Sequence, residues 1–202
     1  MTKYIAIAVL SLAMLIPATS NASRYQFEDS RSGALIPGKA YLGVKYGVFK
    51  SEQNVGPSDK YDVEMDNLGF VFGGEINDIL ALEFDYSQTV SADKEESMGS
   101  TARASVDSIG LFLVAKSRGD VYVRGRVGYT RIEIELSFMG DSESDNIYGL
   151  AYGIGAGIKV GKGAAVEIEY TVFPETDEFF GVPIAGEIEN EFLTVGFVWF
   201  FE

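Results

Sequence analysis

Cysteine and histidine are both missing from this sequence. The absence of cysteine excludes disulfides, thiolate metal sites and a lipid-modified N-terminal cysteine. The absence of histidine removes the usual general base of enzymes that work near neutral pH, so acid–base chemistry would have to rely on carboxylates alone. We therefore expect a protein that is not an enzyme and that uses no metal or other cofactor.

Basic residues are also scarce, since 16 lysines and arginines stand against 30 aspartates and glutamates, for a net charge of −14. A chain this acidic repels nucleic acid and anionic membrane surfaces, so we expect no nucleic-acid partner. Its carboxylates are suited instead to meet cations. Proline is rare as well, at 5 residues against 23 glycines, which suits a single all-β domain.

The first 22 residues have the layout of a secretory signal peptide. Lys3 supplies one positive charge, an apolar run extends to Ile16, and small residues up to Ala22 offer a cleavage site. A membrane anchor helix is the alternative, but the apolar run is too short to span a bilayer well. We predict export with cleavage after Ala22, which removes Lys3 and makes the mature chain more acidic still.

Between Tyr41 and Phe201 the chain repeats, about eight times, a run of roughly ten residues in which apolar side chains alternate with small, polar or charged ones. A period of two places these sets on opposite faces of an extended strand. Strands of this length cross a bilayer when tilted, and only a closed barrel pairs every backbone group there. The pattern predicts an all-β fold, an eight-stranded antiparallel up-and-down transmembrane β-barrel. The predicted strands lie near 40–49, 67–75, 79–88, 105–116, 121–131, 147–160, 164–173 and 190–201.

Short turns alternate with long polar connections along these strands. The turns fall at 75–78, 117–120 and 161–163, and the long connections at 50–66, 89–104, 132–146 and 174–189. This alternation is typical of bacterial outer-membrane barrels, in which the turns are periplasmic and the loops are extracellular. We predict that 23–37 is a periplasmic lead-in segment and that 38–202 is the barrel domain.

One face of the predicted strands carries ionic side chains, while the other carries apolar ones with aromatic rings near the ends. The interior of an eight-stranded barrel is only wide enough to be filled by side chains, and an unpaired buried charge is costly. The interior charges should therefore pair, either as a polar plug or as a gate whose rearrangement admits small ions. This predicted lumen ion network consists of Lys45, Glu83, Asp85, Arg124, Arg126, Glu167 and Glu169.

Three segments carry a resemblance to a known family: YGLAYGIGAGIK at 148–159, AVEIEY at 165–170 and the aromatic FVWFF at 197–201. With them the mature chain resembles the small bacterial outer-membrane β-barrels of the OmpA, OmpX and opacity type. The resemblance implies residence in the outer membrane of a Gram-negative bacterium. It also implies adhesion, serum resistance, envelope integrity or slow solute passage, without choosing among them. Members commonly end on the aromatic residue, whereas here Glu202 follows Phe201.

On three strands the alternation continues past the apolar band, with acids on the outward face and apolar side chains on the inward face. It predicts a small apolar mouth inside an acidic extracellular collar. The collar would be either a solvated surface that discourages edge-to-edge pairing, or a set of acids that shares bridging divalent cations with lipopolysaccharide phosphates. Its residues are Asp62, Glu64, Asp66, Glu133, Glu135, Glu187, Glu189 and Glu191.

The connection at 174–189 is unusual because apolar residues occur in an exposed segment. Phe179, Phe180, Val182 and Ile184 would either fold back onto the mouth or contact a host or envelope partner. We predict a monomeric, non-enzymatic integral outer-membrane protein that presents acidic extracellular loops for envelope integrity or surface interaction, including adhesion. Its partners would be outer-membrane lipid and lipopolysaccharide. The alternative is a narrow ion- or solute-conducting channel gated by interior salt bridges.

Overall fold

The computed structural model of the chain describes residues 39–54, 60–92, 94–97, 100–138, 141–161, 163–179 and 182–201. The predicted signal peptide, the lead-in segment at 23–37 and Glu202 lie outside these residues. Within them the chain forms ten β-strands. Their bounds are β1 Ala40–Asn54, β2 Lys60–Glu75, β3 Leu80–Ala92, β4 Lys94–Ser97, β5 Ser100–Lys116, β6 Val121–Phe138, β7 Asp141–Lys159, β8 Ala164–Val172, β9 Thr176–Phe179 and β10 Val182–Phe201.

Eight of these strands close into an antiparallel barrel. Each long strand pairs with its neighbour in the chain, and β1 pairs with β10 from Ala40–Phe201 to Gln53–Ile188, which closes the sheet. The short strands β4 and β9 lie beside β5 and β10 in hairpins at the far end from the termini of the barrel. The predicted eight-stranded antiparallel barrel is confirmed. No helix in the described part of the chain is long and apolar enough to span a membrane.

The short turns lie where the sequence predicts them, but the long connections are mostly strand. β6 and β7 stay paired as far as Phe138 and Asp141, and β1 and β2 as far as Asn54 and Lys60. The predicted strand ends near 49 and 131 were therefore too early, whereas the alternation predicted past the apolar band does continue as strand. The alternation continues there with polar outward residues, and backbone pairing between adjacent strands of a hairpin is as available in water as in lipid.

Buried and exposed side chains alternate along the strands, with charged ones inside the wall and large apolar ones outside it, as in a barrel that faces lipid. On β8, Glu167 and Glu169 are buried while Ile168 between them is half exposed. Large apolar side chains are exposed around the wall, and charged ones are enclosed. A soluble β-barrel would show the opposite distribution, so the exterior is built to contact hydrocarbon.

Candidate functional site

The seven residues of the lumen ion network come from four strands and meet inside the barrel. Lys45 lies on β1, Glu83 and Asp85 on β3, Arg124 and Arg126 on β6, and Glu167 and Glu169 on β8. All seven are buried, with at most 8% of any residue exposed. Because β3 and β6 lie on opposite sides of β5, and β8 lies two strands from β6, the network spans the bore of the barrel.

Arg124 is the centre of the network because its guanidinium contacts three carboxylates. Its Nη2 donates to Glu83 Oε2 at 2.5 Å, and its Nη1 donates to Glu167 Oε2. Its Nε lies 3.0 Å from Glu169 Oε2 as an ion pair without hydrogen-bond geometry. A planar guanidinium with five donors is the side chain best suited to hold several carboxylates at once.

Arg126 lies two positions further along β6 and forms the second half of the network. It donates to Asp85 Oδ2 at 2.5 Å and to Thr171 Oγ1 at 2.8 Å, and it pairs with Glu169 Oε1 at 2.9 Å. Its guanidinium also lies 4.1 Å from the ring centre of Phe112. Lys45 donates to the same Asp85 oxygen from the other side of the bore. Each cation is therefore paired, which buried charges require.

Two tyrosine hydroxyls that were not among the predicted members also belong to the network. Tyr41 donates to Glu83 Oε1 at 2.7 Å, and Tyr122 donates to Glu167 Oε1 at 2.5 Å. Tyr122 could have been predicted from the sequence, because it is two positions before Arg124 on β6 and therefore points to the same inner face. These donors matter because the interior holds four carboxylates against three cations, and each hydroxyl satisfies one of the oxygens that the cations do not reach.

Interior glycines make room for these large side chains. A Cβ at Gly73 would lie 2.3 Å from Tyr41 Cζ, and a Cβ at Gly157 would lie 2.3 Å from Tyr122 Cζ. Each ring therefore occupies the space above a glycine on the neighbouring strand. Glycine at these inward positions therefore relieves crowding in a narrow barrel.

An apolar layer closes the barrel above the ion network, on the side of the long hairpins. Phe49, Phe173 and Phe192 form an aromatic cluster with ring centres 5.7 to 6.4 Å apart. Met65, Ile132, Ile134 and Ile188 are buried at the same end. The cavity between Lys45, Arg124, Arg126 and Glu169 is only about 20 Å³, which has room for about one water molecule.

The acidic collar lies on the outward faces of the hairpins above this layer. Register pairs its residues across strands: Glu189, Glu52 and Asp62 lie in one row on β10, β1 and β2. Glu191, Lys50 and Glu64 form the row below. Neighbouring side chains in such rows have Cβ atoms roughly 5 Å apart. Glu52 was not among the predicted collar residues, although its outward parity on β1 could have identified it.

The other collar residues follow the predicted parity where their side chains are described. Asp66, Glu133, Glu135 and Glu191 point outward beside buried inward neighbours such as Met65 and Ile134. The side chains of Asp62 and Glu187 lie outside the described residues. On β6, Glu133 lies directly opposite Asp107 of β5. Burial raises the pKa of Asp107, and the charges of Glu133 and Glu135 raise it further.

The predicted contact segment at 174–189 contains strand β9 and the first part of β10, which pair with each other. Phe179 belongs to β9, Val182 and Ile184 belong to β10, and Val182 pairs with Phe179. Phe180 and the side chains of the other three residues lie outside the described part of the chain. The segment begins where β8 ends: the amide of Phe173 donates to Asn190 O at 2.9 Å, and Pro174 follows without an amide hydrogen.

Comparison with known proteins agrees with this architecture. A family model described as the outer membrane protein beta-barrel domain matches residues 6–201, whereas no curated protein sequence matches. Neisserial surface protein A has a similar structure, with a TM-score of 0.61 and 15% identity over 80% of this chain and 97% of that one. The structure of Ail, the attachment invasion locus protein of Yersinia pestis, is similar as well. In its complex with the heparin analogue sucrose octasulfate, it gives a TM-score of 0.56 and 16% identity over 81% of this chain and 99% of that one. Outer membrane protein OprG from Pseudomonas aeruginosa is also similar, with a TM-score of 0.50 and 12% identity over 82% of this chain and 97% of that one. At such identities the similarity concerns the fold.

Proposed function

The chain belongs to the outer membrane protein β-barrel domain family, and from that premise we propose that it is a non-enzymatic outer-membrane protein whose sealed barrel presents an acidic surface outside the cell. The observation that carries this proposal is the combination of a filled bore with charged hairpins that stand above the apolar wall. A filled bore leaves the extracellular surface as the part that can meet a partner. The described residues contain no group of three acids placed to hold a metal ion, and the sequence has no histidine or cysteine.

The role that fits an acidic collar best is envelope integrity through divalent cations. Carboxylates on adjacent strands, such as Glu189 and Glu52, can share a hard cation with the phosphates of lipopolysaccharide. Lys50 lies between Glu191 and Glu64 in the next row, and its Nζ pairs with Glu52 Oε2 at 3.4 Å, so a divalent cation bound in the upper row would compete with this ion pair for Glu52. Magnesium or calcium would then act as the bridge between two surfaces that otherwise repel each other.

The test is a magnesium titration of barrel stability in vesicles that contain lipopolysaccharide. We expect millimolar magnesium to raise the urea midpoint of the wild type and to leave unchanged a variant in which the eight collar acids are amides. Vesicles of phosphatidylcholine alone are the control for lipopolysaccharide. Amide variants of Glu75, Asp78 and Asp120, at the short turns, are the control for removing acids elsewhere on the protein. An equal response of the collar variant and the wild type would contradict the proposal.

Surface interaction is the second part of the proposed role, and the hairpin at 174–189 is the segment we assign to it. The similar structure of Ail was solved with a polyanionic heparin analogue, but an acidic collar repels polyanions. A partner of this chain would therefore be cationic, apolar or bridged by metal. Replacing Phe179 and Phe180 by serine should abolish adherence to host cells without changing folding. Leu136→Ser, an exposed apolar residue on another hairpin, is the control, and equal adherence of both variants would argue against the assignment.

The channel alternative makes a different prediction in planar bilayers. An ion-conducting bore gated by salt bridges would give unitary current steps that change in Arg124→Ala or Glu83→Ala. The small interior cavity and the aromatic layer above it favour a closed bore. Under our proposal the wild type gives no steps, and steps that both variants alter would support the channel instead.

A further inference from the structure

The short-turn end of the barrel carries a concave pocket whose charge is opposite to that of the rest of the protein. The pocket has a volume of about 330 Å³, within the range of small-molecule sites. Four cationic residues and two acids line it: Lys39, Lys116, Arg118 and Lys159 against Glu75 and Asp78. Its formal charge is thus +2 in a chain whose net charge is −14. A concave, positively charged site with low-dielectric walls concentrates anions.

One of these cations is held in place by the protein. Lys116 Nζ lies 3.2 Å from Glu75 Oε1, and the ring centres of Tyr41 and Phe200 lie 4.7 and 5.4 Å from it. Only 10% of its side chain is exposed. An ammonium held beside two rings and a carboxylate loses little side-chain entropy when it meets a ligand, which favours binding.

Backbone hydrogen bonds hold the described residues around the pocket. They join residues in or next to each short turn to the strand beside it. Arg118 and Lys159 therefore project from a scaffold whose spacing is set by the sheet. These rim bonds are Lys116 N to Ile79 O at 2.7 Å, Lys159 N to Asp120 O at 2.8 Å, Phe200 N to Gly163 O at 2.8 Å and Glu75 N to Lys39 O at 3.0 Å.

We propose that this short-turn pocket binds a phosphate-bearing anion. Three ammonium groups and a guanidinium are the chemistry that recognises phosphate, with the guanidinium able to contact two oxygens. The pocket floor is formed by Phe200 and Tyr122, and the hydroxyl of Tyr122 is already engaged by Glu167. Oxygen atoms of the ligand would thus meet the cations of the rim, and any apolar part would meet the rings.

The position of the pocket admits two sources for this phosphate. Trp199 and Phe201, on either side of Phe200, are exposed on the outer wall at the same height, where aromatic side chains mark the membrane interface. Phospholipid headgroups of the inner leaflet lie at this level, and so do phosphorylated solutes of the periplasm. The pocket is at the opposite end of the barrel from the collar, so this inference does not depend on the role proposed there.

The test uses the protein purified in maltoside micelles and phosphate-free buffer. Pyrophosphate binding is measured by calorimetry, and retention of phosphatidylglycerol against phosphatidylcholine is measured by native mass spectrometry. Arg118→Gln and Lys159→Gln should each weaken binding roughly three- to fivefold, the scale of exposed charge pairs. Asp78→Asn should strengthen it by a similar factor because it removes a negative charge and releases Arg118, its partner at 3.4 Å. Arg118 and Asp78 are exposed at their turns, so these variants should fold.

Arg131→Gln is the matched control, since it removes one exposed cation from the other end of the barrel. Pyrophosphate binding that follows the variant pattern supports the site with a soluble phosphate ligand. Retention of phosphatidylglycerol alone, with the same pattern, supports the site with a lipid headgroup. The proposal is overturned if neither ligand binds, or if Arg118→Gln and Arg131→Gln change affinity equally.

Discussion

Replacing Arg124 by methionine is the most informative perturbation of the interior. Methionine has a similar length and no charge, so the change removes the cation while largely filling its space. Glu83, Glu167 and Glu169 would each lose a contact with Arg124, and Glu83 is fully enclosed at 0% exposure. Glu167 and Glu83 would keep only their tyrosine donors among the contacts described above.

The expected loss follows from the cost of leaving buried charge without a partner. Breaking a buried ion pair by removing one partner costs about 3–5 kcal/mol, and here three carboxylates share the missing cation. We expect Arg124→Met to destabilise the barrel by about that amount. Arg131→Met, which breaks an exposed pair with Glu133, should cost about 1 kcal/mol or less.

The assay is urea unfolding in lipid vesicles, with the folded fraction read from heat-modifiable migration on gels. A rescue variant separates charge from packing: adding Glu83→Gln and Glu167→Gln to Arg124→Met should recover most of the loss, because the amides carry no charge to bury. Equal losses of stability in Arg124→Met and Arg131→Met would contradict this expectation. A rescue variant no more stable than Arg124→Met alone would contradict it as well.

Three further predictions concern packing, membrane position and pH. Gly73→Ala should destabilise by about 1–3 kcal/mol because its methyl would lie within 2.5 Å of the Tyr41 ring, whereas Gly74→Ala, which meets nothing within 4 Å, should be neutral in the same urea assay. Fluorescence of Trp199, the only tryptophan, should be quenched more by lipids brominated near the headgroup than by lipids brominated at the chain end; the reverse order would contradict its place at the interface. The pKa of Asp107 is raised in the folded state, so its ionisation destabilises the barrel and this loss grows as the pH rises through the folded pKa. Asp107→Asn should therefore raise the urea midpoint at pH 7 more than at about pH 4, and an equal change at both pH values would contradict a raised pKa of Asp107.

Strand parity explains why so much of the barrel could be predicted. In an extended strand successive side chains point to opposite faces, so once Arg124 and Arg126 are placed inside, Val123 and Val127 must face lipid. The same rule carried the collar prediction beyond the membrane, and it would have included Tyr122 and Glu52 had it been applied to every residue. Parity did not set where each strand ends: β6 runs to Phe138, beyond the predicted bound near 131, because polar outward residues alone do not distinguish a strand from a loop.

The partners inside the bore required the tertiary structure. Parity places Asp85 and Glu83 in the interior, but it does not identify their partners. Asp85 accepts hydrogen bonds from Lys45 and Arg126. Glu83 accepts them from Arg124 and Tyr41. That choice depends on the register of β1, β3 and β6 around the closed sheet, in which the paired residues are about 40 positions apart.

By itself the sequence determined the fold class, the strand count and the face that each side chain takes, because these follow from a local period of two that any segment displays alone. Only the tertiary structure decided which charges meet. Closure of the barrel brings Lys39, Lys116, Arg118 and Lys159 around one pocket, although they come from three separate parts of an acidic chain. A charge acts through distance in space, and separation along the chain does not reveal that distance.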